Sequence, residues 1–305
     1  MNTRLTRRAA IAGTAATFAI HSARAAGPEE IRLDWATYNP VSLILKDQGA
    51  MEKEFAKDNI KIRWVFSAGS NKALEFLNAG SLDFGSTAGA AALIGKINGN
   101  PLKSVYVYSR PEWTALVTGK DSKIKTVADL KGERVAVTRG TDPHIFLVRA
   151  LAGAGLTEKD VKLVLLQHAD GRTALERGDV VAWAGLDPMM AAAEVEWGGR
   201  LFFRKPEANT WGVLNVREEF AKANPALVKR VLGVYDEARK WCLAHMPELK
   251  ASMIAATKLS DPVISKQIER TDISSGKIGA TQAETIVAAG KALQEAGVLD
   301  AKLDM

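Results

Sequence analysis

The sequence predicts an α/β fold of mostly parallel strands covered by helices, and three observations carry that expectation. From Ile31 onward short β-like runs alternate with helical ones, the order that parallel sheets need because each connection must cross back over the sheet. Glycine or a small polar residue stands where several of these runs meet the next helix. An apolar fraction of 47% over 305 residues is enough to bury one large or two medium cores.

Taken in order, Ile31 to Trp35 reads as a strand, and Val41 to Phe55 as a helix. Ile60 to Phe66 follows as a strand, Asn71 to Ala79 as a helix closed by Gly80, and Leu82 to Gly85 as a short strand entering an alanine-rich helix over 88–97. Ser104 to Tyr108 ends the first series. A second begins after the turn Thr118-Gly119-Lys120-Asp121. Thr126 and Asp129 have capping-box spacing, in which hydroxyl and carboxylate satisfy the free amides of a helix start. Strands are expected at 134–137, 161–166 and 181–184, with helices at 143–154 and 171–177. Trp211 to Val216 returns as a strand, and Glu218 to Met305 reads as almost entirely helical. Helix starts there fall at Asn224-Pro225, Met246-Pro247 and Asp261-Pro262, where the fixed φ of proline suits a first turn. No repeat or low-complexity linker divides the chain. A discontinuous division is therefore expected, with residues 26–113 plus 212–305 in one lobe, 114–211 in the other, and two crossing strands between them.

Residues 1–25 read as an export leader. Thr6-Arg7-Arg8 precedes the uncharged stretch 9–20, and Ala23-Arg24-Ala25 offers a small-x-small cleavage pattern. The paired arginines and the weakly apolar stretch suggest the twin-arginine route, although an ordinary Sec signal also carries two arginines. A stretch this short cannot cross a bilayer, which takes roughly 20 apolar residues. The leader holds Arg4, Arg7, Arg8 and Arg24 and no acid, so the 41 basic residues of the whole chain fall to 37 against 35 acidic ones. A nearly neutral mature chain gives no reason to expect nucleic acid as a partner. Cys242 stands alone and can form no internal disulfide. His144, His168 and His245 are dispersed without ligand spacing, so neither metal nor cofactor is expected.

Four junctions carry the functional expectation: Tyr38-Asn39-Pro40, Ser67-Ala68-Gly69-Ser70, Gly85-Ser86-Thr87-Ala88 and Arg139-Gly140-Thr141-Asp142-Pro143. In parallel sheets such junctions lie at the carboxyl edge, where ligands bind. Helix starts offer unpaired N–H groups and a partial positive charge. Together they can hold an oxyanion without a buried lysine or arginine. Taken singly, each is also what ordinary helix capping looks like. Tyr38, Trp113, Trp183 and Trp211 fall near the expected cleft or its crossovers, either as walls for an apolar tail or as core packing.

Over nearly all of the expected mature chain, a succession of motifs resembles the periplasmic aliphatic sulfonate-binding proteins and their taurine- and nitrate-binding relatives. These are the segment 78–87 (NAGSLDFGST), Ile124 to Gly132, the turn Gly140 to His144 with Leu147 to Leu151, and Val181 to Pro188. The resemblance implies a type II periplasmic binding protein whose two hinged lobes close over a small organic anion. Its closed form would be presented to an ABC permease and its ATPase, with the protein a periplasmic monomer. By position, the anion contacts would fall on Gly85, Ser86, Thr87, Gly140, Thr141 and His144, with Asn39 and Ser67 on matching loops. Asp187-Pro188 matches a family Asp-Pro element, preceded here by Leu186 where relatives often have tryptophan. Asp142 departs from a neutral residue in relatives. It is either a helix cap turned from the ligand or a counter-charge for a cationic or zwitterionic one, and Asp187 shares that ambiguity. The rival class is an enzyme on the same fold, desulfinase-like or pyrimidine-precursor synthase-like. Such enzymes need a cleft cysteine or a cysteine cluster, whereas the single Cys242 falls in an expected helix.

Overall fold

The computed structural model describes residues 27–303, and the expected leader lies outside them. The chain first lays down β1 (Glu30–Trp35), α1 (Pro40–Gln48), α2 (Ala50–Phe55), β2 (Lys61–Phe66), α3 (Ser70–Asn78), β3 (Phe84–Ala88), α4 (Gly89–Ile97) and β4 (Leu102–Pro111). It then builds β5 (Leu116–Thr118), β6 (Arg134–Val137), α5 (Asp142–Gly153), β7 (Lys162–Leu165), α6 (His168–Glu176), β8 (Ala182–Ala184), α7 (Met189–Trp197) and β9 (Arg200–Phe203). The return comprises β10 (Gly212–Arg217), α8 (Glu218–Ala223), α9 (Pro225–Ala244), α10 (Met246–Thr257), α11 (Asp261–Glu269), β11 (Thr271–Asp272) and α12 (Ala280–Glu295).

Two sheets result, in the orders β11-β4-β10-β3-β1-β2 and β7-β6-β8-β5-β9. Each has a parallel half, β2-β1-β3 and β7-β6-β8, joined to antiparallel strands that carry the chain between lobes. This is the α/β architecture of a type II periplasmic binding protein. Its crossings run from β4 to β5 and from β9 to β10.

The helix expected over 41–55 is two helices, because Gly49 takes a left-handed φ of 63° that ends α1 and redirects the chain into α2. β5, β9 and α7 escape the sequence reading. β5 and β9 are three and four residues long, too short to show a period of two. The Thr126–Asp129 capping box forms as expected, on a single 3-10 turn. The proline-led starts of α9, α10 and α11 also form.

Apolar packing fills each lobe and also crosses between them. One cluster around Leu33, Phe84, Leu214 and Tyr235 lies under the first sheet. Clusters around Phe146 and Trp183 cover the two faces of the second. Across the gap, Ala191 and Ala192 of α7 meet Val263 of α11, while Ile145 and Val148 of α5 meet Ala289 and Leu293 of α12. These contacts hold the lobes together on both sides of the strand ends. Among the described residues no helix is long and apolar enough to cross a membrane.

Candidate functional site

Between the lobes lies a narrow cavity of about 10 Å³, walled by Tyr38, Ser70, Trp113, Thr141, Asp142, Pro143 and Leu186. Its rim is closed by loop against loop. A side-chain carbon on Gly69 would lie 2.9 Å from His168 Nε2, and one on Gly140 would lie 3.8 Å from Asn71 Cβ. Tyr38 and Trp113 meet edge to face with ring centres 6.0 Å apart, giving the cavity an aromatic side. None of its walls is a lysine or arginine.

Five helices start near this gap, and their ends differ. Two are closed from within. At α1, Asn39 Oδ1 accepts from Ser42 N, and its amide nitrogen donates to Ser86 Oγ at 2.8 Å. At α4, Gly89 N donates to Trp211 O at 2.8 Å and Ala90 N to Thr210 Oγ1 at 3.2 Å. The other three, α3 after Gly69, α5 after Thr141 and α6 after Gln167, have no side-chain cap. Their first-turn N–H groups and aligned peptide dipoles are left to attract negative charge. Ser70 Oγ accepts from Ala88 N, which leaves its hydroxyl hydrogen available in the cavity wall. Thr141 Oγ1 donates back to Thr138 O at 2.6 Å, so Thr141 can offer a guest its amide but not its hydroxyl.

Three of the expected site residues, Tyr38, Trp113 and Thr141, are cavity walls. Gly140 stands at the rim with a left-handed φ of 76°, which lets β6 turn sharply into α5. Other expected contacts are occupied elsewhere. Gly85, Ser86 and Thr87 are sheet residues rather than loop, because β10 runs antiparallel to β3 as far as Ala88. Ser86 N and Oγ donate to the buried Asp34 carboxylate at 2.8–2.9 Å. Asn215 Nδ2 donates to Gly85 O and Thr87 Oγ1. Asn39 is consumed at α1, and Ser67 is buried with its amide donating to Trp35 O while its hydroxyl has no partner among the described residues. His144 Nε2 lies 2.8 Å from Glu158 Oε1. The Trp211 ring lies under the Arg110 guanidinium at 5.3 Å. Trp183 is core.

Both ambiguous carboxylates have partners. Asp142 Oδ2 accepts from Trp113 Nε1 at 2.8 Å and Thr210 N at 3.0 Å, and Oδ1 accepts from Thr210 Oγ1 at 2.8 Å. It thus pins α5 to both interlobe crossings. Burial raises its pKa, and those three donors pull it back. Asp187 Oδ1 accepts from Ala191 N at 2.9 Å and faces Arg270 Nη1 at 3.5 Å, a tie between lobes that Arg270 extends to Glu194. Burial pushes Asp187 up to about 7 against the pull of Arg270.

Sequence reasoning missed Asp34, Asn71, His168, Thr210 and Arg270, and had Ser70 only as part of the junction Ser67 to Ser70. Asp34 had a signal, a lone acid inside an apolar strand. Burial pushes it up to about 6 although Ser86 donates to it. His168 was hidden because α6 starts three residues before the expected Gly171. Cys242 is buried in α9, its thiol pushed up to about 12 by burial. At neutral pH it offers no thiolate nucleophile. Among the described residues no acid, histidine and cysteine cluster could hold a metal.

The chain matches the family described as NMT1/THI5 like over residues 50–248. It is 32% identical over 264 residues, 85% of this chain and 82% of the relative, to an Escherichia coli K12 protein named for binding aliphatic sulfonates. The alkanesulfonate-binding protein SsuA of Xanthomonas axonopodis pv. citri, solved bound to MOPS, superposes with a TM-score of 0.82 at 25% identity, covering 90% of this chain and 95% of that one. The periplasmic aliphatic sulphonate binding protein SsuA of Escherichia coli gives 0.77 at 29% identity, over 91% and 96%. A desulfurization enzyme, DSZB, shares the fold alone, at 13% identity and a TM-score of 0.65.

Proposed function

The chain belongs to the NMT1/THI5-like family, and from that premise we propose that it is the periplasmic solute-binding component of an ABC importer, taking an aliphatic sulfonate. The observation that carries this reading is that two uncapped helix starts, α3 from one lobe and α5 from the other, line one cavity without a lysine or arginine in its walls, with a third, α6, at its rim. A sulfonate spreads one charge over three acceptor oxygens and so suits several N–H donors at once. Each charge-assisted bond contributes about 1.5–3 kcal/mol and each helix end roughly 0.3–1 kcal/mol more. The rings of Tyr38 and Trp113 and the side chain of Leu186 suit an alkyl tail, which bare nitrate lacks.

The donors of α3 sit on one lobe and those of α5 and α6 on the other, so only the closed form engages all of them. Guest binding then shifts the population toward closure, and the closed surface is what a permease with its ATPase reads. The lobes divide at residues 113–114 and 211–212, and the leader over residues 1–25 exports the chain as a monomer. A thermal-shift panel of alkanesulfonates, taurine, nitrate, phthalate and thiamine precursors tests the assignment. A sulfonate at a hundred times its Kd should add about 2.7 kcal/mol of stability. A response to phthalate or thiamine precursors and to no sulfonate would reassign the ligand.

A further inference from the structure

Thr138 follows β6, and its hydroxyl donates to the Leu166 carbonyl at 2.7 Å. A hydroxyl has one hydrogen, and a carbonyl can only accept. The 3.1 Å contact between Thr138 Oγ1 and His168 Nδ1 is therefore a bond donated by the ring, and Nδ1 carries the hydrogen. His168 is 4% exposed, and burial pushes its pKa down to about 3. At neutral pH the imidazole is uncharged, and Nε2 presents a lone pair.

That lone pair has no partner among the described residues. The ring tip reaches across the gap to Gly69 at the first turn of α3. Asn71 Oδ1 is a second buried acceptor without a partner on the same turn. An anion's oxygen cannot satisfy the Nε2 lone pair, because acceptor would meet acceptor. The Asp142 carboxylate in the cavity wall repels a second negative group as well. The site thus combines donors for a charged end with acceptors for something else.

We propose that His168 is a specificity-determining residue whose Nε2 accepts a hydrogen bond from an O–H or N–H group carried by the guest, so that donor-bearing sulfonates are preferred to plain alkyl ones. This rests on the sulfonate reading above. The guest's donor replaces the unpaired contact, and a guest lacking it leaves Nε2 buried and empty-handed.

Titration calorimetry of the purified protein with ethanesulfonate, its hydroxyl analogue isethionate and its amino analogue taurine tests the idea. At least one donor-bearing guest should bind about tenfold tighter than ethanesulfonate, and which one identifies the donor. In His168→Phe that advantage should shrink to within about twofold. In Thr138→Val the ring survives but loses the oxygen that fixes its tautomer, and the preference should fall there too. Nitrogen-15 NMR of the wild-type ring should find Nε2 unprotonated, whether or not either variant folds. A protonated Nε2, equal affinity for all three sulfonates, or a preference that persists in the folded variants overturns the proposal while leaving the anion site intact. Absence of binding by any sulfonate overturns the functional reading and this proposal with it.

Discussion

Two strand-to-helix junctions that read alike in sequence differ in the fold. Gly85-Ser86-Thr87-Ala88 leads into α4, and Arg139-Gly140-Thr141-Asp142 leads into α5. Beside the first, antiparallel β10 reaches Gly212 opposite Ala88. The residues just before it, Thr210 and Trp211, cover the first amides of α4. Beside the second, β7 and β8 are both parallel to β6 and end at the same edge, so no strand overruns the helix start. Whether a helix end keeps its first amides free of strand partners was decided by the direction of the neighbouring strand, since both junctions offer glycine and a hydroxyl residue.

The largest expected effect bears on how the open end is anchored. Asp142→Ala strands Trp113 Nε1 and Thr210 N in a buried site and should cost roughly 3 kcal/mol or more in urea unfolding. A loss below about 1 kcal/mol would mean that α5 is not held by the crossings. Next comes pH. An unfolded aspartate titrates near 3.9, while Asp187 and Asp34 are raised to about 7 and about 6 in the fold. A carboxyl raised in this way favours the folded state below its unfolded pKa, and that contribution is lost as pH rises through the folded value. Stability should therefore fall from about pH 4 to pH 7. Asp187→Asn should gain on the wild type across that window, by up to about 4 kcal/mol. Parallel curves for the two proteins would place the Asp187 proton elsewhere.

The smallest effects compare the junctions directly. Gly69 has an extended φ of 174°, so its backbone suits alanine, but the added Cβ would press on the Asn71 side chain of the same turn and on His168 across the gap. Gly69→Ala should weaken sulfonate binding about tenfold, or 1.4 kcal/mol, with unfolding unchanged. Ser86→Ala at the closed end should do the opposite, costing about 1 kcal/mol of stability with Kd within about twofold. The reverse pattern in calorimetry would move the site to α4.

Much of the architecture was legible in the residues themselves. Alternating runs, prolines at helix starts and the Thr126–Asp129 box are local signals, set by backbone sterics and hydrogen bonds within a few residues. β5 and β9 were not legible, because strands this short exist only through their partners. At the site, the sequence by itself marked the junctions as places where amides go free. Only the tertiary structure decided which stayed free, which carboxylates were already partnered and which histidine faced the gap. Donor capacity is a property of a residue, whereas the partner that consumes it arrives from a strand over a hundred positions away, as Asn215 does at Gly85.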